Sequence, residues 1–407
     1  MGSLEDLEQA RRKRRRGGGN GSGDGPAWLA DCIVGDTMRP LPILANAALA
    51  LRQDPRWCGR ITFDQMAQSA LLGGVPVADA DVVEIQELMQ HSGLKRISGE
   101  TVHDAVLRVA HENAFHPVRR YLEGLAWDGV PRLDRWLSYY LGAEAQPLEY
   151  LTAVGRMFLV SMVARIMEPG CKADHMLVLE GEQGIFKSSA CGVLGGDWYS
   201  DSLPENVGAK DAALHLRGKW LIEVGELHAM SRSDVTAFKS FLTRAEERYR
   251  PPYGRLEVYE PRQCVFIGST NKAAYLKDET GGRRFWPVAC GTIDLEALTR
   301  DRDLLFAEAV SAYCGGALWW PDRDLERRLI APEQGARFDH DAWEEAIEYY
   351  LRGQEKTSVK EVAQNALTFD ISRIGRQDQN RIVAILERLS WKRMQRTGAG
   401  QFWCRKA

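Results

Sequence analysis

The sequence predicts an α/β protein in three parts: a helical N-terminal domain, a central parallel sheet with helices on both faces, and a C-terminal group of three helices closed by a hairpin. Three observations predict it. From Trp28 to about Tyr140, apolar residues recur at three- and four-residue intervals, as amphipathic helices require. Between about Leu151 and Pro332, short apolar runs alternate with helical stretches, the order that builds strands joined by crossovers. From His340 onward, helical patterns precede two β-prone runs joined by Gly-Ala-Gly.

Taken in order, residues 1–27 are a basic and Gly-rich tail, RRKRRRGGGNGSGDGP at its centre, that cannot bury enough apolar surface to fold. It reads as a solvated tail or as a nucleic-acid-binding arm. Residues 28–145 form the helical domain, through LPILANAALALRQD, DADVVEIQELMQHSG and TVHDAVLRVAHENAFH. The HENAFH run imitates a zinc-protease helix, but His111 and His116 are five apart and diverge around a helix, and Pro117 forces His116 out of helical geometry. A turn at Asp128-Gly129 and Pro131 marks the boundary to residues 146–335. There HMLVLEG, KWLIEVGEL and QCVFIGSTN read as strands whose carboxyl ends hold the ligand. Residues 340–407, with DAWEEAIEYYL, SVKEVAQNAL and DQNRIVAILERLS before the basic hairpin, read as a winged helix-turn-helix; a small protein-docking domain is the alternative.

Composition limits the function. With 407 residues and 44% apolar content the chain supports several ordinary globular units, and we find no run of about eighteen apolar residues to span a membrane. It is expected to be soluble and cytoplasmic. The cysteines stand singly, without CxxC pairs or a Cys/His cluster, which argues against disulfides and structural zinc. A net charge of −3 gives no global pull on a polyanion, so any nucleic-acid partner must be met by local clusters.

The strongest local signal is LEGEQGIFKSSACGVL. Residues 181–189 (Gly181, Glu182, Gln183, Gly184, Ile185, Phe186, Lys187, Ser188, Ser189) have the spacing of a phosphate-binding loop, except that Phe186 stands where glycine is usual. Such a loop turns its backbone N–H groups toward phosphates at a helix N-terminus, with a lysine for the β/γ oxygens and a hydroxyl for Mg²⁺. Phe186 suits it only by accepting the backbone that position demands, which is strained if φ is positive. Downstream, LIEVGE supplies Glu223 and Glu226. Strand alternation favours Glu226, at the carboxyl end, as the acid for metal and water, while Glu223 is either a second metal-site acid or a packed one. Asn271 closes the next strand, where an amide can orient water, and Arg283 and Arg284 offer permanent charge for a developing phosphoryl group.

This ordered set, with FKSFLTRAEERYRPPYGR and STNKAAYLKDETGGRRFWPV, resembles the virulence-associated E family of phage and prophage proteins, an ATPase group similar to superfamily 3 helicases. The resemblance covers about residues 100–335 and implies an AAA+-like core using ATP and Mg²⁺. It places phosphate and metal at Lys187 and Ser188, the acidic role at Glu226 and a sensor role at Asn271. It makes Arg283 or Arg284 a finger for a neighbouring subunit in a homo-oligomer, expected to be a hexamer. No primase-like constellation precedes Trp28, so polymerase activity is not implied, although a primase or other replication protein fits as partner.

Two basic regions are candidates for single-stranded or duplex DNA. Lys239 lies on an amphipathic helix, and RYRPPYGRLEVY reads as a hairpin interleaving Arg248, Arg250 and Arg255 with Tyr249, Tyr253 and Tyr259, a combination that grips phosphates and stacks bases. The resemblance turns this hairpin toward a central pore. The competing reading pairs these arginines with Glu246, Glu247, Glu257 and Glu260. In the tail, Arg381, Lys392, Arg393 and Arg396 fall on the expected recognition helix and wing. The sequence thus points to a ring-forming ATPase acting on DNA in phage replication. A replication initiator that does not unwind, and a nucleotide-sensing interference protein, are the alternatives.

Overall fold

The computed structural model describes residues 25–405 apart from 205–206, 208–209, 226–231, 252–255, 277–281, 339–340, 371–373 and 396–400. Within it the chain is mixed α/β, built on one parallel sheet.

The N-terminal region is not all-helical. The three expected helices form, at Leu44–Gln53, Asp79–His91 and Gly99–Glu112. Between and after them lie strands β1 (Ile61–Asp64), β2 (Ser69–Leu72), β3 (Val75–Pro76) and β4 (Ala114–Phe115), in the order β3-β2-β1-β4. The reason is local. Ile61 and Phe63 are buried while their neighbours are half-buried, a strand period over too few residues to register beside long helical patterns. The Asp64 carboxylate accepts from the backbone N–H groups of Met66 and Ala67, which turns the chain into β2. The helix at Gly99–Glu112 packs on this sheet, and His111 stacks on Phe63 at 4.0 Å. His116 caps the next helix by accepting from Arg119 N, outside the helix that carries His111. Among the described residues no three or more His, Cys, Asp and Glu side chains converge as a metal site.

The central sheet contains β5 (Met176–Glu180), β6 (Tyr199–Ser200), β7 (Leu221–Val224), β10 (Val265–Thr270) and β11 (Phe285–Ala289), ordered β11-β5-β10-β7-β6 with every pair parallel. Strands β8 (Glu246–Tyr249) and β9 (Val258–Pro261) form a separate antiparallel hairpin between β7 and β10. Parallel strands must be covered on both faces. Leu177, Leu179, Val265 and Ile267 pack in one buried cluster with the Leu148–Met167 helix. Met176, Val178, Ile222 and Phe266 pack in another with Phe238, Phe241 and Leu242. Leu148–Met167 is long and apolar enough to cross a membrane by length and composition, but it is mostly buried against the sheet. Trp220 Nε1 fastens it by donating to Met162 O at 2.8 Å.

At the C-terminal end, Glu344–Leu351, the turns around Val359–Ala366 and Arg376–Arg388 enclose a small core with Trp391 and Trp403. A three-stranded antiparallel sheet closes it: β12 (Lys356–Thr357), β13 (Trp391–Arg393) and β14 (Trp403–Arg405), ordered β12-β14-β13.

Candidate functional site

Strand β5 is buried along its length and delivers the chain to the carboxyl edge of the sheet. There it turns through Gly181 at φ 146° and Gly184 at φ 88° before the helix Lys187–Gly195 begins. Only glycine adopts such angles without strain, and a side chain at Gly181 would run into Ile185. Phe186 does take a positive φ, 70°, so the conformation that glycine would supply is kept by a phenylalanine that is 59% exposed. The loop is closed by Lys187, whose Nζ donates to the carbonyls of Gly181 at 2.8 Å and Glu182 at 2.7 Å.

Below the loop lies a buried carboxylate. Glu223 on β7 is 3% exposed, and its Oε1 accepts from Ser188 Oγ at 2.8 Å and from Ser269 Oγ on β10 at 2.6 Å. Its Oε2 accepts from Tyr199 Oη on β6. Burial, together with the bond to Glu223, pushes the Tyr199 hydroxyl far up, so it stays protonated and donates. Gln183, Gly184, Phe186, Lys187, Ser188 and Ser189 on one side, with Ser269, Thr270 and Asn271 on the other, line a cleft of about 420 Å³. Asn271 therefore faces the same space as Lys187 and Ser188, as expected. Glu226 lies outside the described residues. Tyr199 and Ser269 were not foreseen, because neither belongs to a spacing pattern and only the sheet brings them to Glu223.

Arg283 and Arg284 sit elsewhere. They immediately precede β11, whose Phe285 pairs with Met176 and whose Ala289 pairs with Glu180, so they mark the amino edge while the loop marks the carboxyl edge. The intervening strand is roughly 15 Å long. They line a second cavity, about 320 Å³, with Lys172, Asp174, His175 and Trp320. Burial, with Arg284 and Arg283 alongside, pushes His175 down to about 4, and its neutral ring stacks on Trp286 at 4.6 Å.

The basic candidates divide. Lys239 is buried, 5.9 Å from the Phe285 ring, and is not presented to solvent. Arg248 pairs with Glu257 at 2.7 Å and lies over Tyr259, while Glu247 and Glu260 are engaged by Arg262 and Arg217. The pairing alternative thus holds for Arg248. Tyr249 is buried and donates to Glu260. Arg250 is exposed, whereas Tyr253 and Arg255 lie outside the described residues. Arg381 is tied to Asp341 by two bonds, 2.6 and 2.7 Å, and covers Trp343 at 3.7 Å. Lys392 and Arg393 are exposed on β13, and Arg396 lies outside the described residues.

These features define an α/β protein with a glycine-bearing loop and a buried acid at the carboxyl edge of a parallel sheet. Residues 122–339 match the profile of the virulence-associated protein E-like domain, over half of the chain, and the protein belongs to that family. No curated protein matches the chain. Among solved structures, the apo C-terminal region (305–718) of NrS-1 is similar at TM-score 0.42 and 13% identity, over 80% of this chain and 82% of that one. An A-form apo structure of the same region gives 0.42 and 12%, over 85% and 96%.

Proposed function

We infer that the protein is a Mg²⁺-dependent ATPase with an AAA+-like core and a winged-helix C-terminal domain, acting on DNA as a ring in phage or prophage replication. One observation carries the reading: Ser188, next to the loop lysine, is hydrogen-bonded to a buried carboxylate on β7, two strands away from β5 in the sheet. A hydroxyl beside a carboxylate is the hard-oxygen donor set that suits Mg²⁺, and the cleft in front of it is lined by a helix N-terminus and Lys187. Ser188 and Glu223 would hold the ion, which supplies charge neutralisation to the β and γ phosphates. Lys187 leaves its loop carbonyls to bind phosphate oxygens, and backbone N–H groups at the helix start complete the cradle. Asn271 orients water toward the γ-phosphate, and Glu226 takes its proton. Arg283 and Arg284, on the opposite edge, act on the site of a neighbouring copy.

Lys187→Ala is expected to abolish nucleotide binding and turnover while leaving the melting temperature within a few degrees, because the hydrogen bonds of Lys187 among the described residues go to two carbonyls of its own loop. Undiminished turnover would sink the assignment. An initiator that assembles without unwinding is the second reading, favoured by the internal pairing of Arg248 and Arg381. Strand displacement on a forked duplex decides between them.

A further inference from the structure

The residue that precedes the phosphate loop is itself an interior carboxylate. Glu180 ends β5 and is 7% exposed. Its oxygens accept from Arg337 Nε at 3.0 and 3.1 Å, from a terminal guanidinium nitrogen of Arg337 at 3.1 Å, and from Tyr275 Oη at 2.9 Å. Arg337 is fixed in turn, since its other terminal nitrogen donates to Glu333 at 2.5 Å and its carbonyl accepts from the N–H groups of Tyr275 and Leu276, both at 3.1 Å. Phe338 then bridges to Leu276. Three segments meet at this Glu180–Arg337 pair: the entry to the loop, the stretch that follows Asn271, and the chain leading out to the C-terminal helices.

We propose that Arg337 is a positioning residue for the nucleotide site: its fork on Glu180 sets the start of the phosphate loop and makes that loop answer to the segment entering the C-terminal region. This rests on the nucleotide reading of the cleft. The planar guanidinium offers Glu180 two donors in fixed geometry, which a single ammonium cannot reproduce. Glu180 is covalently next to Gly181, whose carbonyl Lys187 grips, so a shift of the carboxylate passes into the loop. Tyr275, four residues beyond Asn271, donates its hydroxyl to the same Glu180 carboxylate and its backbone N–H to the Arg337 carbonyl, so both walls of the cleft are referred to the Glu180–Arg337 pair.

The test uses the full chain and three variants: Arg337→Met, Arg337→Lys, and the double variant Glu180→Gln, Arg337→Met. Two readouts are followed, hydrogen exchange of peptides spanning 181–189 and affinity for a fluorescent ATP analogue with Mg²⁺. Arg337→Met is expected to speed loop exchange and to weaken nucleotide binding about tenfold. It also strands a buried carboxylate, and the double variant removes that charge. The double variant should therefore regain thermal stability while loop exchange stays fast and binding stays weak, with Arg337→Lys in between. Wild-type exchange and affinity returning together with stability in the double variant would show the pair to be structural only and overturn the proposal. A wild-type protein that binds no ATP analogue, with loop exchange still governed by Arg337, overturns instead the nucleotide reading beneath it.

Discussion

The phosphate loop and the β8–β9 hairpin are both polar, both lie between strands, and both carry cations that sequence alone assigns to a phosphate partner. They differ in what surrounds those cations. Lys187 is held by two backbone carbonyls, neutral acceptors that release it without leaving a charge behind. Arg248 is held by a carboxylate and an aromatic face, and Glu260 and Glu247 on the same hairpin are taken up by Arg217 and Arg262. A cation held by neutral dipoles is available to an incoming anion, whereas one held by a carboxylate must first give up a charged partner. The C-terminal region repeats the contrast, with Arg381 bound to Asp341 while Lys392 and Arg393 face solvent.

The largest effect that would test this contrast is at Glu223. Glu223→Gln places an amide donor among three hydroxyl donors at a buried site, and turnover is expected to fall at least about 100-fold. Folding stability should drop by about 1–3 kcal/mol. Steady-state hydrolysis and a urea melt measure both, and an active Glu223→Gln enzyme would leave the chemistry to Glu226.

A middle-sized effect separates the tail's two kinds of cation. Lys392→Ala with Arg393→Ala should weaken duplex binding and reduce the salt slope by about 2, one counterion for each lost phosphate contact. Arg381→Ala should instead lower stability by about 2 kcal/mol through its buried partner Asp341 and leave the slope alone. Titrations across a salt series read the difference, and identical slopes for all variants would make the tail a docking module.

The last effect, absent at neutral pH and seen only on acidification, is acid sensitivity at the amino edge. His175 is held near 4 when folded, against about 6.5 when unfolded, so the unfolded chain binds the extra proton between these values. Its contribution is therefore complete above pH 6.5 and is lost as pH falls toward 4, at most about 3 kcal/mol. His175→Phe preserves the stack on Trp286 and should flatten that part of the stability profile; an unchanged profile would refute the assignment.

How much was legible follows from distance along the chain. The strand-loop-helix at 176–195 could be read because its glycines, lysine and serine are adjacent, and the demand on position 186 followed from backbone sterics alone. The Glu223 cluster could not, since Tyr199 and Ser269 stand 24 and 46 residues away and meet it only through the sheet order. The N-terminal sheet was missed because β3 and β4 are two residues long, too short for any period. Lys239 and Arg381 misled for a related reason: their positive charge is visible in the sequence, while burial and pairing are tertiary facts.

Phe186 has an evolutionary consequence. A left-handed backbone under a β-carbon costs about 1–2 kcal/mol, and an exposed ring returns little of that by burial. Glycine would relieve the strain, so selection for folding alone has no reason to hold phenylalanine there. A residue that survives against the thermodynamic gradient of its own fold must be kept by something outside that fold, or not yet have been replaced.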